Sequence, residues 1–271
     1  MKKLLLTGLF FIFLPLVLMA VTSCPECGYK TQNSSAECPK CLRLIRWPYT
    51  PQRTLKAKVV VRTGKDAFIR HPNSQNRAFK ANRNAGADLS GQIGSWGFLT
   101  GLRYLIRFDI PESFALAKID MKTFRLKRAK LRLVIADEEI KQQIPIRVYP
   151  LTTPFEEGTG RFHIRSKIPD GCTWQLSARL MPWQIPGGDY NESISSFGIL
   201  GKNGKHECAI DVTGVLQHRF DQFSQTGKWN DPGMIIMRDS HTACQCTFLS
   251  IFSFESRPKG IQVISPQLFI E

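Results

Sequence analysis

The sequence predicts an all-β sandwich. Three observations carry that expectation. Short segments from residue 58 onward alternate apolar and polar residues, Gly, Pro and Asn separate them at short spacing, and no long amphipathic helix interrupts them. A period of two sends successive side chains to opposite faces of a sheet, so one face packs and the other meets water.

The elements follow in order. Residues 58–61 form a short apolar strand. Over 102–109, Leu102, Tyr104, Ile106 and Phe108 share one face, while Arg103, Leu105, Arg107 and Asp109 share the other. Ala129, Leu131, Leu133 and Ile135 alternate with Lys130, Arg132 and Val134, and Ile144, Ile146 and Val148 alternate with Pro145, Arg147 and Tyr149. Residues 209–215, 233–237, 247–254 and 267–270 continue the style. Residues 212–223 hold at most a helical turn or two.

Ahead of the strands, Lys2 and Lys3 precede an apolar run over 4–21, which ends near the small residues Ala20, Thr22 and Ser23. A basic start, an apolar core and a small-residue end are the parts of a secretory signal over 1–23. The run also approaches the length of a bilayer-spanning helix, about 20 residues, so an uncleaved signal anchor is the alternative. With Lys2 and Lys3 held inside, the rest of the chain crosses the membrane, which predicts a secreted or cell-surface protein. The net charge of +15 becomes +13 without those two lysines. An exported basic chain meets an anionic polysaccharide, anionic lipid or cell-wall polymer rather than nucleic acid.

Four of the cysteines, Cys24, Cys27, Cys38 and Cys41, cluster as C-P-E-C-G and C-P-K-C. Two C-x-x-C knuckles facing each other place four thiolates around Zn²⁺, in a closed structural site with no open position for catalysis. Pro25 and Pro39 stiffen the knuckles, and the spacing resembles a zinc-ribbon pair. Two alternatives stand beside zinc. Disulfides form in an oxidising compartment. Val21 to Cys24 also resembles a bacterial lipobox, which makes Cys24 a lipid-bearing membrane anchor instead of a metal ligand. The organisation expected is a signal over 1–23, a zinc-ribbon-like unit over 24–45, a Pro-punctuated linker over 46–57 and one β domain over 58–271.

From about Val59 to the C-terminus the chain resembles the DNRLRE-domain family, which includes alginate-binding carbohydrate-binding modules of family 96. The residues that carry the resemblance are D-A-F-I-R at 66–70, R-Y-L-I-R-F-D-I at 103–110, A-K-L-R-L at 129–133, F-E-E-G-T-G at 155–160, C-T-W at 172–174, P-W at 182–183, P-G-G-D-Y at 186–190, I-D-V-T at 210–213 and S-P-Q-L at 265–268. Phe155 stands where the family has tryptophan, residues 73–94 are more polar, and the cysteine knuckles have no counterpart there. The resemblance implies a β-jelly roll, a non-catalytic carbohydrate-binding role and attachment to exported proteins.

Binding an acidic polysaccharide needs cations along a groove and aromatic faces for sugar rings. Arginine pairs bidentately with carboxylates and stays charged. Arg103, Arg107, Lys130, Arg132 and Arg147 are expected to form one basic patch if their strands are neighbours. Arg103 and Arg107 recur in the family motif, so a structural role as partners of Asp109 or Asp211 stands beside the binding role. Trp96, in a Gly-rich loop, and Arg70 and Arg83, at the ends of a polar loop, complete the ligand candidates. Trp174 and Trp183 are expected as core or loop anchors. Asp66 and Asp189 fall where jelly-roll modules place a structural Ca²⁺, with ordinary turn aspartates as the alternative. No catalytic residue is predicted: G-x-S-x-G, H-E-x-x-H and Gly-rich phosphate loops are missing from the sequence. A cell-surface interaction protein and a polysaccharide lyase or hydrolase are the other functional classes.

Overall fold

The computed structural model describes residues 57–71, 83–88, 90–95, 101–137, 139–160, 170–239, 247–252 and 265–271, with the backbone of 22–23 and 30–31. The chain divides into two compact units, Met1–Arg46 and Trp47–Glu271. In the first, β1 (Thr22–Ser23) pairs antiparallel with β2 (Lys30–Thr31), Thr22 opposite Thr31. The apolar run over 4–21 and the four clustered cysteines lie outside the described residues. Among the described residues no helix is long and apolar enough to cross a membrane.

The second unit is an all-β domain with two α-helices among the described residues. Its strands are β3 (Val59–Arg70), β4 (Ser90–Ser95), β5 (Gly101–Phe108), β6 (Ala129–Val134), β7 (Ile144–Pro150), β8 (Leu176–Ala178), β9 (Met181–Pro182), β10 (Ser196–Leu200), β11 (Glu207–Asp211), β12 (Met234–Arg238), β13 (Thr247–Phe252) and β14 (Gln267–Ile270). Helices α1 (Ile110–Leu116) and α2 (Thr213–Thr226) follow β5 and β11. Ten strands make one antiparallel sheet in the order β10-β7-β12-β5-β3-β14-β6-β11, with β4 beside β5 and β13 beside β4. The sheet nearly closes on itself. Its terminal strands β10 and β11 meet where the Cys208 thiol donates to the Ile199 carbonyl at 3.3 Å. A Cβ on Gly198 would fall 2.8 Å from Ile210 Cγ1, so glycine lets the two strands approach.

Long β3 serves two partners. It pairs with β14 through residues 59–62 and with β5 from Thr63 to Arg70, with a register shift between Thr63 and Lys65. The expected strand over 58–61 therefore covers only the first quarter of it, residues 59–61. On β5, Tyr104, Ile106 and Phe108 enter the main core with Ile93, Leu131, Ile146 and Leu268. Leu105 enters a second core with Ala67, Ile69, Ile235, Trp174 and Trp183. That second core exists because the chain over 170–190 folds back as a cap on the outer side of β3, β5 and β12. Apolar residues thus occur on both sides of these strands, and strict alternation understates the burial.

Residues 209–215, expected as strand, divide differently. β11 ends at Asp211 and a 14-residue helix begins at Thr213. The Asp211 carboxylate accepts from the Thr213 N–H at 3.0 Å and the Thr213 hydroxyl at 2.6 Å, turning the chain out of the sheet. Burial pushes this carboxyl up, but the Thr213 bonds and the Arg128 charge outweigh it and hold Asp211 below the usual aspartate range. Val215, Leu216 and Phe220 then bury in the main core. Gly227, at φ 68°, ends the helix with its N–H on the Phe223 carbonyl. Helix α1 opens on Ile110-Pro111, a favoured place for proline, and buries Ile110 and Phe114 four residues apart.

Tyr104 fixes how closely β4 crosses the main core. Its ring is fully buried, and a Cβ on Gly91 would lie 2.3 Å from the ring carbon Cδ2. Gly91→Ala is expected to cost about 1–3 kcal/mol by overpacking, read as a lower urea midpoint with an unchanged slope.

Candidate ligand-binding face

The cap and the strands beneath it bring arginines and aromatic rings together. β7 and β12 pair with Arg147 opposite Met237, and β12 and β5 pair with Ile236 opposite Tyr104. Residues 103, 147 and 237 therefore share the outer side of the sheet. On the far side of β7, Phe197 of β10 stands directly opposite Arg147. One face thus presents, strand by strand, Phe197, Arg147, Met237 and Arg103.

The ring contacts turn this row into a ladder. The Arg147 guanidinium lies 6.0 Å from the Phe197 ring centroid. Tyr149, two residues along β7, meets Tyr190 with ring centroids 4.9 Å apart. Arg103 lies 5.9 Å from the Tyr190 ring and 4.7 Å from the Trp174 ring. His71 closes the row edge-on to Trp174 at 4.8 Å. Cations over aromatic faces are attracted by the ring quadrupole, more strongly as water is excluded. Phe197 is 52% exposed, so the ladder runs from solvent at the Phe197 end to burial at Trp174.

Each member is held in place. Arg147 Nε lies 3.3 Å from Asp239 Oδ2, and its Nη1 donates to the Ser195 hydroxyl at 3.1 Å. Arg103 Nη1 donates to the Gly187 carbonyl at 2.7 Å, tying the cap to β5. Burial lowers the Arg103 guanidinium from its ordinary value, opposed by the Tyr190 and Tyr149 oxygens. Burial raises the Tyr149 and Tyr190 phenols, with Arg147 and Arg103 respectively as the main opposing charges, so both phenols are neutral at pH 7. Gly187 sits at φ 99°, and a Cβ there would meet both the Trp174 ring and Arg103 Nη1 below 3 Å.

The cap itself is pinned by Asn84, which is buried. Its Nδ2 donates to the Glu157 carbonyl at 2.6 Å and the Cys172 carbonyl at 3.0 Å, while its Oδ1 accepts from the Gly160 N–H at 2.8 Å. Trp183 Nε1 donates to the Thr173 carbonyl at 3.0 Å. Trp174 and Trp183 are thus anchors, as the sequence expects. Asp189 accepts the backbone N–H groups of Gln184 and Ile185 at 3.0 and 2.8 Å, which fastens the Gly-Gly turn. Asp66 is buried elsewhere, against the Tyr104 phenol, which burial and then the Asp66 charge push up. Among the described residues no three His, Cys, Asp or Glu side chains gather as a metal site.

The expected single patch of five cations does not assemble. β6 is separated from β5 by β3 and β14, and β5 from β7 by β12. Arg103, Arg107 and Arg147 belong to one stretch of the sheet, and Lys130 and Arg132 to another. Arg107 is half-buried and lies 4.0 Å from Asp109. Arg132 is 3% exposed, 3.2 Å from Glu207 and hydrogen-bonded to Gln267 Oε1 at 2.9 Å, so it stands as an internal ion pair. Lys130 pairs across the strands with exposed Asp211 and with Phe269. Arg70 is buried, and burial followed by the Arg83 charge lowers it. Trp96 lies outside the described residues. The sequence reading missed Phe197, Ser195 and Asp239. The short S-F-G-I-L run at 196–200, placed one face out by its register with β7, was the available signal.

No protein-family model matches the chain, and no curated protein matches its sequence.

The two cations of β6 give opposite expectations. Glu207→Ala strands the Arg132 charge inside the sheet and is expected to cost about 3–5 kcal/mol, seen as a large drop in melting temperature. Lys130→Ala, at a half-exposed site, is expected to stay within about 0.5 kcal/mol of the parent.

Proposed function

We propose that the chain is an exported, non-catalytic binding module for anionic, alginate-like polysaccharide. Its nearly closed antiparallel sheet is read as a jelly roll similar to the DNRLRE-domain modules. The observation that carries the reading is the ladder of Phe197, Arg147, Tyr149, Tyr190, Arg103 and Trp174 on one outer face. Sugar rings have apolar C–H faces that lie against aromatic rings, and uronate carboxylates take the forked N–H donors of arginine. In this reading Phe197 and Tyr149 are the platforms. Arg147 meets the carboxylate with Nη2, since Nε and Nη1 already hold Asp239 and Ser195. Arg103, with its bond to Gly187, positions Tyr190 and Trp174 and does not reach the glycan itself. Lys130 and the other exposed cations raise the local concentration of a polyanion without fixing its orientation.

The expected outcome is retardation of the chain in affinity gels containing alginate, pectin or a sulfated glycan. Phe197→Ala and Arg147→Ala are each expected to weaken it by about three- to tenfold, while Lys122→Ala, exposed in the segment between α1 and β6, leaves it unchanged. Failure of all three polymers to retard the parent chain would end this reading.

The proposal extends to the N-terminal unit, where Cys24, Cys27, Cys38 and Cys41 hold a structural Zn²⁺ after signal cleavage near Ala20. The chemistry of the donor set fits zinc, with four thiolates in two knuckles, and β1 and β2 bracket the first knuckle in sequence. Native mass of the mature chain is expected to show one bound zinc, lost with a chelator. A diacylated N-terminal cysteine would instead make Cys24 the membrane anchor.

A further inference from the structure

Beside the ladder lies a recess of about 520 Å³, between α2 and the end of β7. Its floor is Arg219, which is 6% exposed and fixed on three sides. Arg219 Nε lies 3.6 Å from Asp231, Nη1 donates to Gln222 Oε1 at 3.0 Å, and Nη2 donates to the Leu151 carbonyl. Its walls carry Thr152, Asn191, His218, Gln225 and Lys228. No carboxylate lines the recess among the described residues. Asp231, which neutralises Arg219, is buried behind that side chain.

This lining has a definite chemistry. Each amide offers donors and an acceptor on one small group, and a threonine hydroxyl does both with one atom. Neighbouring hydroxyls of a sugar present the matching set. Lys228 stands exposed at the rim with no carboxylate in the lining to answer it, which selects an anionic group on the same ligand. The volume falls in the usual range of small-ligand sites, roughly 300–1,000 Å³. The recess also begins beside Tyr190, in the middle of the ladder. Tyr190 bridges Leu151, and the next residue, Asn191, donates its N–H to the Pro150 carbonyl at 3.0 Å.

We propose that this recess is an acidic-sugar subsite, so that a single chain of sugars runs from Phe197 across Tyr149 and Tyr190 to place a carboxylate at Lys228. The inference rests on the polysaccharide reading above and adds to it a second, polar subsite.

The test is titration calorimetry of the full chain with an alginate hexamer and with the same hexamer after reduction of its carboxyl groups. Lys228→Ala with Gln225→Ala changes two exposed residues, so the fold is retained, with circular dichroism as the check. The double variant is expected to lose about fivefold in affinity for the acidic hexamer and less than twofold for the reduced one. Equal losses on the two hexamers would overturn the acidic assignment. Parent-like affinity of the double variant, with Phe197→Ala still weakened, would overturn the recess and leave the ladder standing. A parent chain that binds neither hexamer would overturn the recess assignment, and retardation by pectin or a sulfated glycan would then leave the ladder standing.

Discussion

Between Thr63 and Lys65, β3 slips its register and exchanges β14 for β5. That slip lets one strand belong to both halves of the sheet, and the near-closure of β10 against β11 depends on it. A bulge adds a residue to one strand and bends it, which is how antiparallel sheets turn corners. Gly64 occupies the corner with Asp109 against it, where a Cβ would lie 2.2 Å from the carboxylate. Beyond the corner, the outward positions of β3 become Lys65, Ala67 and Ile69, and the last two are apolar enough to take a cap.

The cap then decides what the arginines do. Arg103 lies on an outward position, where alternation alone predicts contact with water. Instead it lies beneath Trp174, donates to Gly187 and shares its charge with two rings. Arg147, two strands away, lies beyond the cap and keeps an exposed aromatic partner in Phe197. The same residue type on the same face therefore serves as a strut at one end and as a contact at the other. Burial of the surrounding apolar surface makes the difference, since a guanidinium withdrawn from water must find fixed acceptors.

Much of this domain was legible in its sequence. The alternations around Tyr104, Leu131 and Ile146 mark β5, β6 and β7 to within a residue or two, because each faces the main core on one side. Trp174 and Trp183 were legible as anchors. Helix α2 was legible in place, as a turn or two within 212–223, but not in its full length, because its apolar positions Val215, Leu216 and Phe220 are few and the Asp211-Thr213 turn that starts it looks like a strand end. The common patch of Arg103, Lys130 and Arg147 was not legible either way. Alternation tells which side of its own strand a residue occupies, and strand order is a long-range property that alternation does not contain. Phe197 escaped for the same reason, since only its register opposite Arg147 gives it a role.

The ion pair of Arg132 with Glu207 and that of Arg219 with Asp231 are both nearly closed to solvent. Together with Arg103, they remove three guanidinium groups from the surface that an approaching molecule meets. The net charge of +15 is therefore unevenly distributed in its effects. Lysines and loop arginines dominate the far field, which a Debye length of about 8 Å in physiological salt cuts short. Arg147 and its ring act only within contact distance. Ionic strength should accordingly govern how fast a polyanion arrives far more than how long it stays.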